Sequence, residues 1–143
     1  MIKIKQILAQ KTKPLTTVAP TDTVQHAVEL MRDSDIGAVM VLTGNNLVGI
    51  FTERDCLHKV TAPGRNPREV LVSEVMTKEV RFVTLDMEIS QGLALMTERF
   101  LRHLPVLDEQ KNILGIVSIG DLVKAKISDQ SFIIEQMERY IST

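Results

Sequence analysis

The sequence has few aromatic residues, a single cysteine and no long apolar run. Phe, Trp and Tyr make up 3% of its 143 residues, which leaves little material for the aromatic platforms that stack single-stranded bases. Because Cys56 has no cysteine partner within the chain, we expect a small core residue rather than a disulfide or a reactive thiol. The apolar run Ala38 to Leu42 is far shorter than the roughly 18 residues that would predict a membrane span.

The charge is nearly balanced, with 17 basic and 18 acidic residues and a net charge of −1. This balance argues against the strong basic field of a nucleic-acid binder. Lysines interrupt the apolar residues at the N-terminus, so the continuous apolar segment of a secretory signal is missing. We therefore expect a cytoplasmic protein that binds neither nucleic acid nor a membrane.

Neither a metal site nor a catalytic constellation can be recognised in the sequence. The three histidines lack the close spacing of metal ligands, and a Walker-type Gly-x-x-x-x-Gly-Lys is absent. We expect no metal and no enzymatic activity. The enzymatic alternative is a nucleotide hydrolase that uses Asp55 or Asp121 as a base.

A seven-residue motif occurs twice, at Gly49 to Asp55 and at Gly115 to Asp121. Both copies read Gly, two apolar residues, a hydroxyl residue, two variable residues and Asp. The apolar residues suit the end of a buried strand, and Ser or Thr followed three residues later by an acid is typical of a helix start. Each copy predicts a strand-to-helix turn.

The motif belongs to a longer internal repeat. Val83 matches Val18 and Val106 matches Val41 at an offset of 65, and the motif matches at an offset of 66. The repeat predicts an α/β (α+β) fold of duplicated β-α-β-β-α units, with two small sheets, helices packed between them and a pseudo-twofold axis. We predict an N-terminal helical arm at 1–13, a first repeat with its connector at 14–67, a second repeat at 68–126 and a C-terminal helix at 127–143.

The final stretch, Ile119 to Ile141, is predicted to form one long or twice-broken helix with an apolar face. That face either covers the core of the chain itself or packs against a second copy of the chain. The sequence leaves both alternatives open.

The repeated motif has two interpretations. Its hydroxyl and carboxylate can simply form a capping box, which satisfies free backbone donors at the helix start but does not require the glycine. Alternatively, the helix N-terminus and the hydroxyl of Thr52 or Ser118 bind a phosphate, while Asp55 or Asp121 accepts the hydroxyls of a ribose. A carboxylate would repel such an anion unless basic groups stood nearby.

The chain resembles a tandem pair of cystathionine-β-synthase (CBS) domains, often called a Bateman module, over about residues 14–126. The resemblance rests on the duplicated motif, on Val75-Met76-Thr77 and on the stretch from Arg102 to Asp108. It implies a regulatory, energy-sensing module without catalysis, commonly a homodimer, that binds an adenosine-containing ligand in clefts between the repeats and signals to an unidentified partner protein. AMP and NAD are the foremost candidates, followed by ADP, ATP and S-adenosylmethionine. The alternative function is structural dimerisation without a ligand.

The resemblance also implies roles for individual residues. Asp55 and Asp121 would bind a ribose, and the hydroxyls of Thr52 and Ser118 would lie near the phosphate or the ribose. The first repeat lacks the basic pair and the proline of the second, so we expect the two sites to be unequal. The basic residues near phosphates would be Arg54, Arg102 and His103, and the residues flanking adenine would be Thr17, Val18, Ile36, Gly37 and Ala38 in one site and Val83, Thr84, Leu101, Ile119 and Gly120 in the other.

Overall fold

The structure is a computed structural model, and it describes residues 1–12 and 14–142. Lys13 and Thr143, which end the predicted arm and the predicted C-terminal helix, lie outside the described residues. The helix at Glu53–Cys56 continues directly as a π-helical turn at Leu57–Thr61. The helices are α1 (Ile4–Gln10), α2 (Val24–Ser34), α3 (Glu53–Cys56), α4 (Val72–Val75), α5 (Ile89–Arg99) and α6 (Ile119–Ser142), and the strands are β1 (Thr17–Val18), β2 (Ala38–Thr43), β3 (Asn46–Thr52), β4 (His103–Leu107) and β5 (Ile113–Ser118).

The strands form two small sheets, one with the order β1-β2-β3 and one that pairs β4 with β5. In the first sheet β1 runs parallel to β2, and β2 is antiparallel to β3. Val18 pairs with Val41 in a parallel arrangement, and Val83 pairs with Val106 in the same way. The mixed fold class is confirmed, and the offset of 65 between the repeats reappears in these strand pairs.

The chain divides into two compact units, which we name after their motifs. The Asp55 unit contains 14–81 with the short loop 110–113, and the Asp121 unit contains the N-terminal residues up to 12, 82–109 and the chain from 114 onward. Helix α1 therefore packs in the unit of the second motif, where the Ile4 amide donates to the Met87 carbonyl at 2.8 Å. The domain boundaries expected from the sequence remain a prediction.

Each unit has its own apolar core. In the Asp55 unit Val24, Ala27 and Met31 of α2 are buried against β2 and β3, and Val28 is partly buried beside them. Thr23 caps this helix, because its hydroxyl oxygen accepts a hydrogen bond from the His26 amide at 3.1 Å. In the Asp121 unit, α1, α5, the sheet and the first turns of α6 enclose the core residues Ile4, Ile7, Val83, Ile89, Met96, Leu104, Val106, Val117 and Leu122. Within the described residues, no helix combines the length and the apolar character needed to cross a bilayer.

The glycine that opens each motif permits a close approach of neighbouring chain. A Cβ atom at Gly49 would lie 2.6 Å from the Met76 sulfur and 3.0 Å from the Thr77 carbonyl oxygen. At Gly115 it would lie 2.5 Å from a terminal methyl carbon of Leu8. Packing within each unit therefore explains the motif glycines, which a capping box alone does not require.

The two glycines should differ in their tolerance of alanine. We expect Gly49→Ala to lower the free energy of unfolding by about 1–3 kcal/mol, because the new methyl group meets the Thr77 backbone. Gly115→Ala should cost less than about 1 kcal/mol, because the flexible Leu8 side chain can move and alanine is stiffer than glycine in the unfolded chain. Urea unfolding of both variants measures the difference, and equal losses would contradict this explanation.

Candidate functional site

Equivalent backbone hydrogen bonds hold the start of a helix beside the start of a strand in both units. The Glu53 amide donates to the Gly37 carbonyl at 3.0 Å, and the Ile119 amide donates to the Arg102 carbonyl at 2.8 Å. The residues predicted for the first site all lie in the Asp55 unit, and those predicted for the second site all lie in the Asp121 unit. Their roles in ligand binding remain a prediction.

Both motifs form complete capping boxes. In the first, the Asp55 amide donates to the Thr52 hydroxyl and the Thr52 amide donates to the Asp55 carboxylate, both at 3.1 Å. In the second, the Asp121 amide donates to Ser118 Oγ at 3.1 Å and the Ser118 amide donates to Asp121 Oδ2 at 2.8 Å. The capping interpretation therefore holds for both copies. A ligand could use only the hydrogen-bonding capacity of the hydroxyl and the carboxylate that the capping bonds do not occupy.

The Asp55 carboxylate is buried, with 6% of the residue exposed, and both of its oxygens are engaged within the chain. Lys59 Nζ lies 2.9 Å from Oδ1, and the Thr77 hydroxyl donates to the same oxygen at 3.1 Å. Lys59 also donates to the Val75 carbonyl at 3.0 Å. A buried carboxylate needs such partners to offset its lost hydration. Through these contacts Asp55 links α3 to the segment that contains Val75 and Thr77.

The Asp121 carboxylate is more open, and its side chain is 30% exposed. Lys11 Nζ donates to Oδ2 at 2.7 Å, the same oxygen that accepts the Ser118 amide. Burial raises the pKa of Asp121, but the hydrogen bonds from Lys11 and Ser118 lower it by more than burial raises it. The pKa of Asp121 therefore lies below the ordinary value of an aspartate. The carboxylate is therefore ionised at neutral pH and available as an acceptor.

The remaining predicted residues differ in exposure. Arg54 and Arg102 are exposed, whereas His103 is half-buried at the start of β4. Val83 is buried and bonds along β4, since its amide donates to the Pro105 carbonyl and its carbonyl accepts the Leu107 amide, both at 3.0 Å. Next to it, Thr84 is half-buried.

A cavity of about 540 Å³ lies in the Asp55 unit between α2 and the α3 helix with its π-helical turn. Ile36 and Gly37 line it, but Thr52 and Asp55 do not. Cys56 also lines this cavity and is half-buried, so the expected core position of the cysteine is only partly correct. The cavity therefore borders the first motif through Glu53, but neither the hydroxyl nor the carboxylate that caps α3 lines it.

Sequence reasoning missed the three side chains that contact the motif carboxylates, namely Lys11, Lys59 and Thr77. The spacing of Lys59 four residues after Asp55 is a local signal for an ion pair on a helix, and it could have been found. Ala125 stands at the equivalent position of the second repeat. Lys11 and Thr77 lie far from their partners in sequence and gave no local signal. In the described part of the chain, no group of three or more His, Cys, Asp or Glu side chains is arranged to hold a metal ion.

Comparison with known proteins agrees with this duplicated architecture. The family model of the CBS domain matches twice, at residues 4–62 and 72–128. The chain belongs to the CBS-domain family. Proteins built from such a pair are generally regulatory and ligand-binding rather than catalytic, and CBS domains commonly bind adenine nucleotides.

Relatives of similar architecture come from several organisms. The CBS domain-containing protein YhcV of Bacillus subtilis is 37% identical over 120 residues, which cover 84% of each chain. The mitochondrial protein CBSX3 of Arabidopsis thaliana is 35% identical over 125 residues, and the match covers 84% of this chain and 60% of CBSX3. The structure of a protein with CBS domains from Burkholderia ambifaria has a TM-score of 0.85 and 42% identity, with 90% of this chain and 96% of the other covered. The chain thus spans less than two thirds of some curated relatives, including one from Methanopyrus kandleri at 66%.

The two carboxylates should differ in their contribution to stability. We expect Asp55→Ala to lower the free energy of unfolding by about 2–4 kcal/mol, because it removes the cap of α3, the ion pair with Lys59 and the acceptor of the half-buried Thr77 hydroxyl. Asp121→Ala removes a partly exposed ion pair and one capping contact, so it should cost about 1 kcal/mol. Urea unfolding of the two variants compares them directly. A loss at Asp121 as large as that at Asp55 would contradict the structural role assigned to Asp55.

Proposed function

We propose that the chain is a regulatory module that binds an adenosine-containing nucleotide, AMP or NAD foremost, at the second motif and signals to a partner protein by a change of conformation or dimer geometry. The observation that carries this proposal is the contrast between the two acids. Asp121 is partly exposed at the start of a 24-residue helix, whereas Asp55 is buried and engaged at both oxygens.

The groups at the second motif suit the ribose and the phosphate of a nucleotide. A carboxylate can accept about four hydrogen bonds, so Asp121 can receive ribose hydroxyls in addition to the donors on its Oδ2 atom. Ser118 Oγ accepts the Asp121 amide and retains its own proton for donation to a phosphate oxygen. The N-terminus of α6 adds a favourable interaction with an anion of about 0.3–1 kcal/mol.

The charge around Asp121 also suits an anionic ligand. Lys11 lies against the carboxylate and offsets its negative charge, so a phosphate is not repelled from the motif. Arg102 is exposed, and its carbonyl accepts the Ile119 amide at the first turn of α6, which places a second basic residue next to the motif. Both residues lie in the Asp121 unit.

The adenine is proposed to lie against the segments that border this motif, with Val83 and Thr84 on one side and Leu101, Ile119 and Gly120 on the other. The backbone bonds from Val83 to β4 and from Ile119 to Arg102 hold these segments in one unit. The Asp55 half then stabilises the module, and its cavity beside Ile36 and Gly37 is not required for the ligand. This function needs no chemical reaction, because a ligand that binds one state of the protein stabilises that state relative to the others.

Titration calorimetry with AMP and with 2′-deoxy-AMP tests the ribose contact. We expect the protein to bind AMP more tightly than 2′-deoxy-AMP by about tenfold, because a hydrogen bond from the 2′-hydroxyl to a charged acceptor is worth about 1.5 kcal/mol. Asp121→Asn should weaken AMP binding by about ten- to a hundredfold and should abolish most of the discrimination. Asp129→Asn, with the same change of charge on the same helix, is the matched control and should behave as the parent protein.

The outcomes separate the site from the function. If AMP, NAD and ATP all fail to bind or to raise the melting temperature at millimolar concentration, the chain is a structural dimerisation module and the proposed function is wrong. If AMP binds but Asp121→Asn retains full discrimination against 2′-deoxy-AMP, the function stands and the assignment of the ribose to Asp121 is wrong.

A further inference from the structure

Helix α6 continues well beyond the core that its first turns cover. Leu122 is fully buried, and Lys126 still contacts the body of the Asp121 unit through a hydrogen bond to Ser90 Oγ at 3.1 Å. From Ile127 onward the large apolar side chains that the structure describes are exposed: Ile127 by 58%, Ile133 by 47%, Ile134 by 55%, Met137 by 60% and Ile141 by 81%. So many large apolar side chains along one exposed helix indicate a surface that binds another protein.

The spacing of these side chains predicts the kind of surface that covers them. Consecutive members of the stripe are separated by four, three, four, three and four residues, the alternation of four and three that defines the apolar positions of a coiled-coil heptad. The stripe, which we call the α6 seam, consists of Val123, Ile127, Gln130, Ile134, Met137 and Ile141, and Gln130 is its one polar member.

The charges beside the seam indicate which helix fits it. Lys124 and Lys126 flank its beginning. Glu135 and Glu138 lie near its end, where Arg139 pairs with Glu135 at 3.0 Å, so this end has one more acidic than basic residue. Pairing two copies in parallel would place lysine beside lysine and glutamate beside glutamate. Antiparallel pairing places the basic end of each helix beside the acidic end of the other, and opposite charges at flanking positions set the orientation of paired helices.

We propose that the α6 seam is a homodimer interface in which α6 pairs antiparallel with α6 of a second copy of the chain. In the register with the greatest overlap, Ile127 packs opposite Met137 of the second copy, and Val123 packs opposite its Ile141. Lys124 then lies next to the second copy's Glu138. The same surface meets itself, so the contact closes as a twofold dimer and does not grow into a filament.

Light scattering coupled to size-exclusion chromatography tests the interface. The full chain at about 100 µM, well above the dissociation constant of a specific dimer, should have the mass of a dimer. Ile134→Asp should convert it to a monomer with an unchanged circular dichroism spectrum and unchanged nucleotide binding. Ser128→Asp, which adds the same charge on the same helix away from the seam, is the matched control and should remain dimeric. A monomeric parent protein, or an Ile134→Asp variant that is still a dimer, would overturn the proposal.

Disulfide trapping tests the orientation in a Cys56→Ser background, which removes the single native thiol. Val123→Cys and Ile141→Cys should each form little disulfide alone, because antiparallel pairing holds identical positions far apart. Mixed together, they should form a disulfide between one copy of each, which intact mass identifies. Efficient self-linking of either variant alone would show parallel pairing and would contradict the antiparallel interface.

Discussion

The first half of the structure depends on the contacts that the buried carboxylate of Asp55 makes. Asp55 is the one charged residue that is buried among the residues the structure describes. It must therefore replace, with partners inside the protein, the hydrogen bonds that it loses from water. It does so by capping α3, by pairing with Lys59 and by accepting the Thr77 hydroxyl. The close approach at Gly49 and the paired bonds between Ile50 and Thr77, at 3.0 and 2.8 Å, bring Thr77 to this carboxylate. One acid therefore joins the strand end, the helix start and the segment after the connector.

The second motif shows that the same local geometry can lead to a different role. Ser118 and Asp121 form the same capping box as Thr52 and Asp55, and Gly115 admits Leu8 of α1 as Gly49 admits Met76. Ala125 replaces the lysine that would neutralise the acid from its own helix. The cation comes instead from Lys11, and the carboxylate remains partly exposed. Neighbouring residues, rather than the motif itself, separate a stabilising acid from one that is placed to meet a ligand.

Local rules were sufficient to predict the two strand-to-helix turns, because each turn depends on residues a few positions apart. The repeat followed from comparing the sequence with itself. The contacts of the motif acids depend on tertiary packing. Thr77 lies 22 residues from Asp55, and Lys11 lies 110 residues from Asp121, so no pattern in the sequence connects them. The same limit explains why α1 could be predicted as a helical arm but could not be assigned to the unit of the second motif. The π-helical turn after α3 also carries no signal among the helix start and stop residues.

A crystal structure of the protein grown with AMP tests the central claim most directly, because it locates the ribose relative to both acids. We predict AMP at the second motif, with its ribose hydroxyls on Asp121 and its phosphate near Ser118. We also predict that Asp55 keeps its contacts with Lys59 and Thr77. A ribose bound to Asp55, with Lys59 and Thr77 displaced from the carboxylate, would contradict the distinction between a structural and a ligand-binding acid.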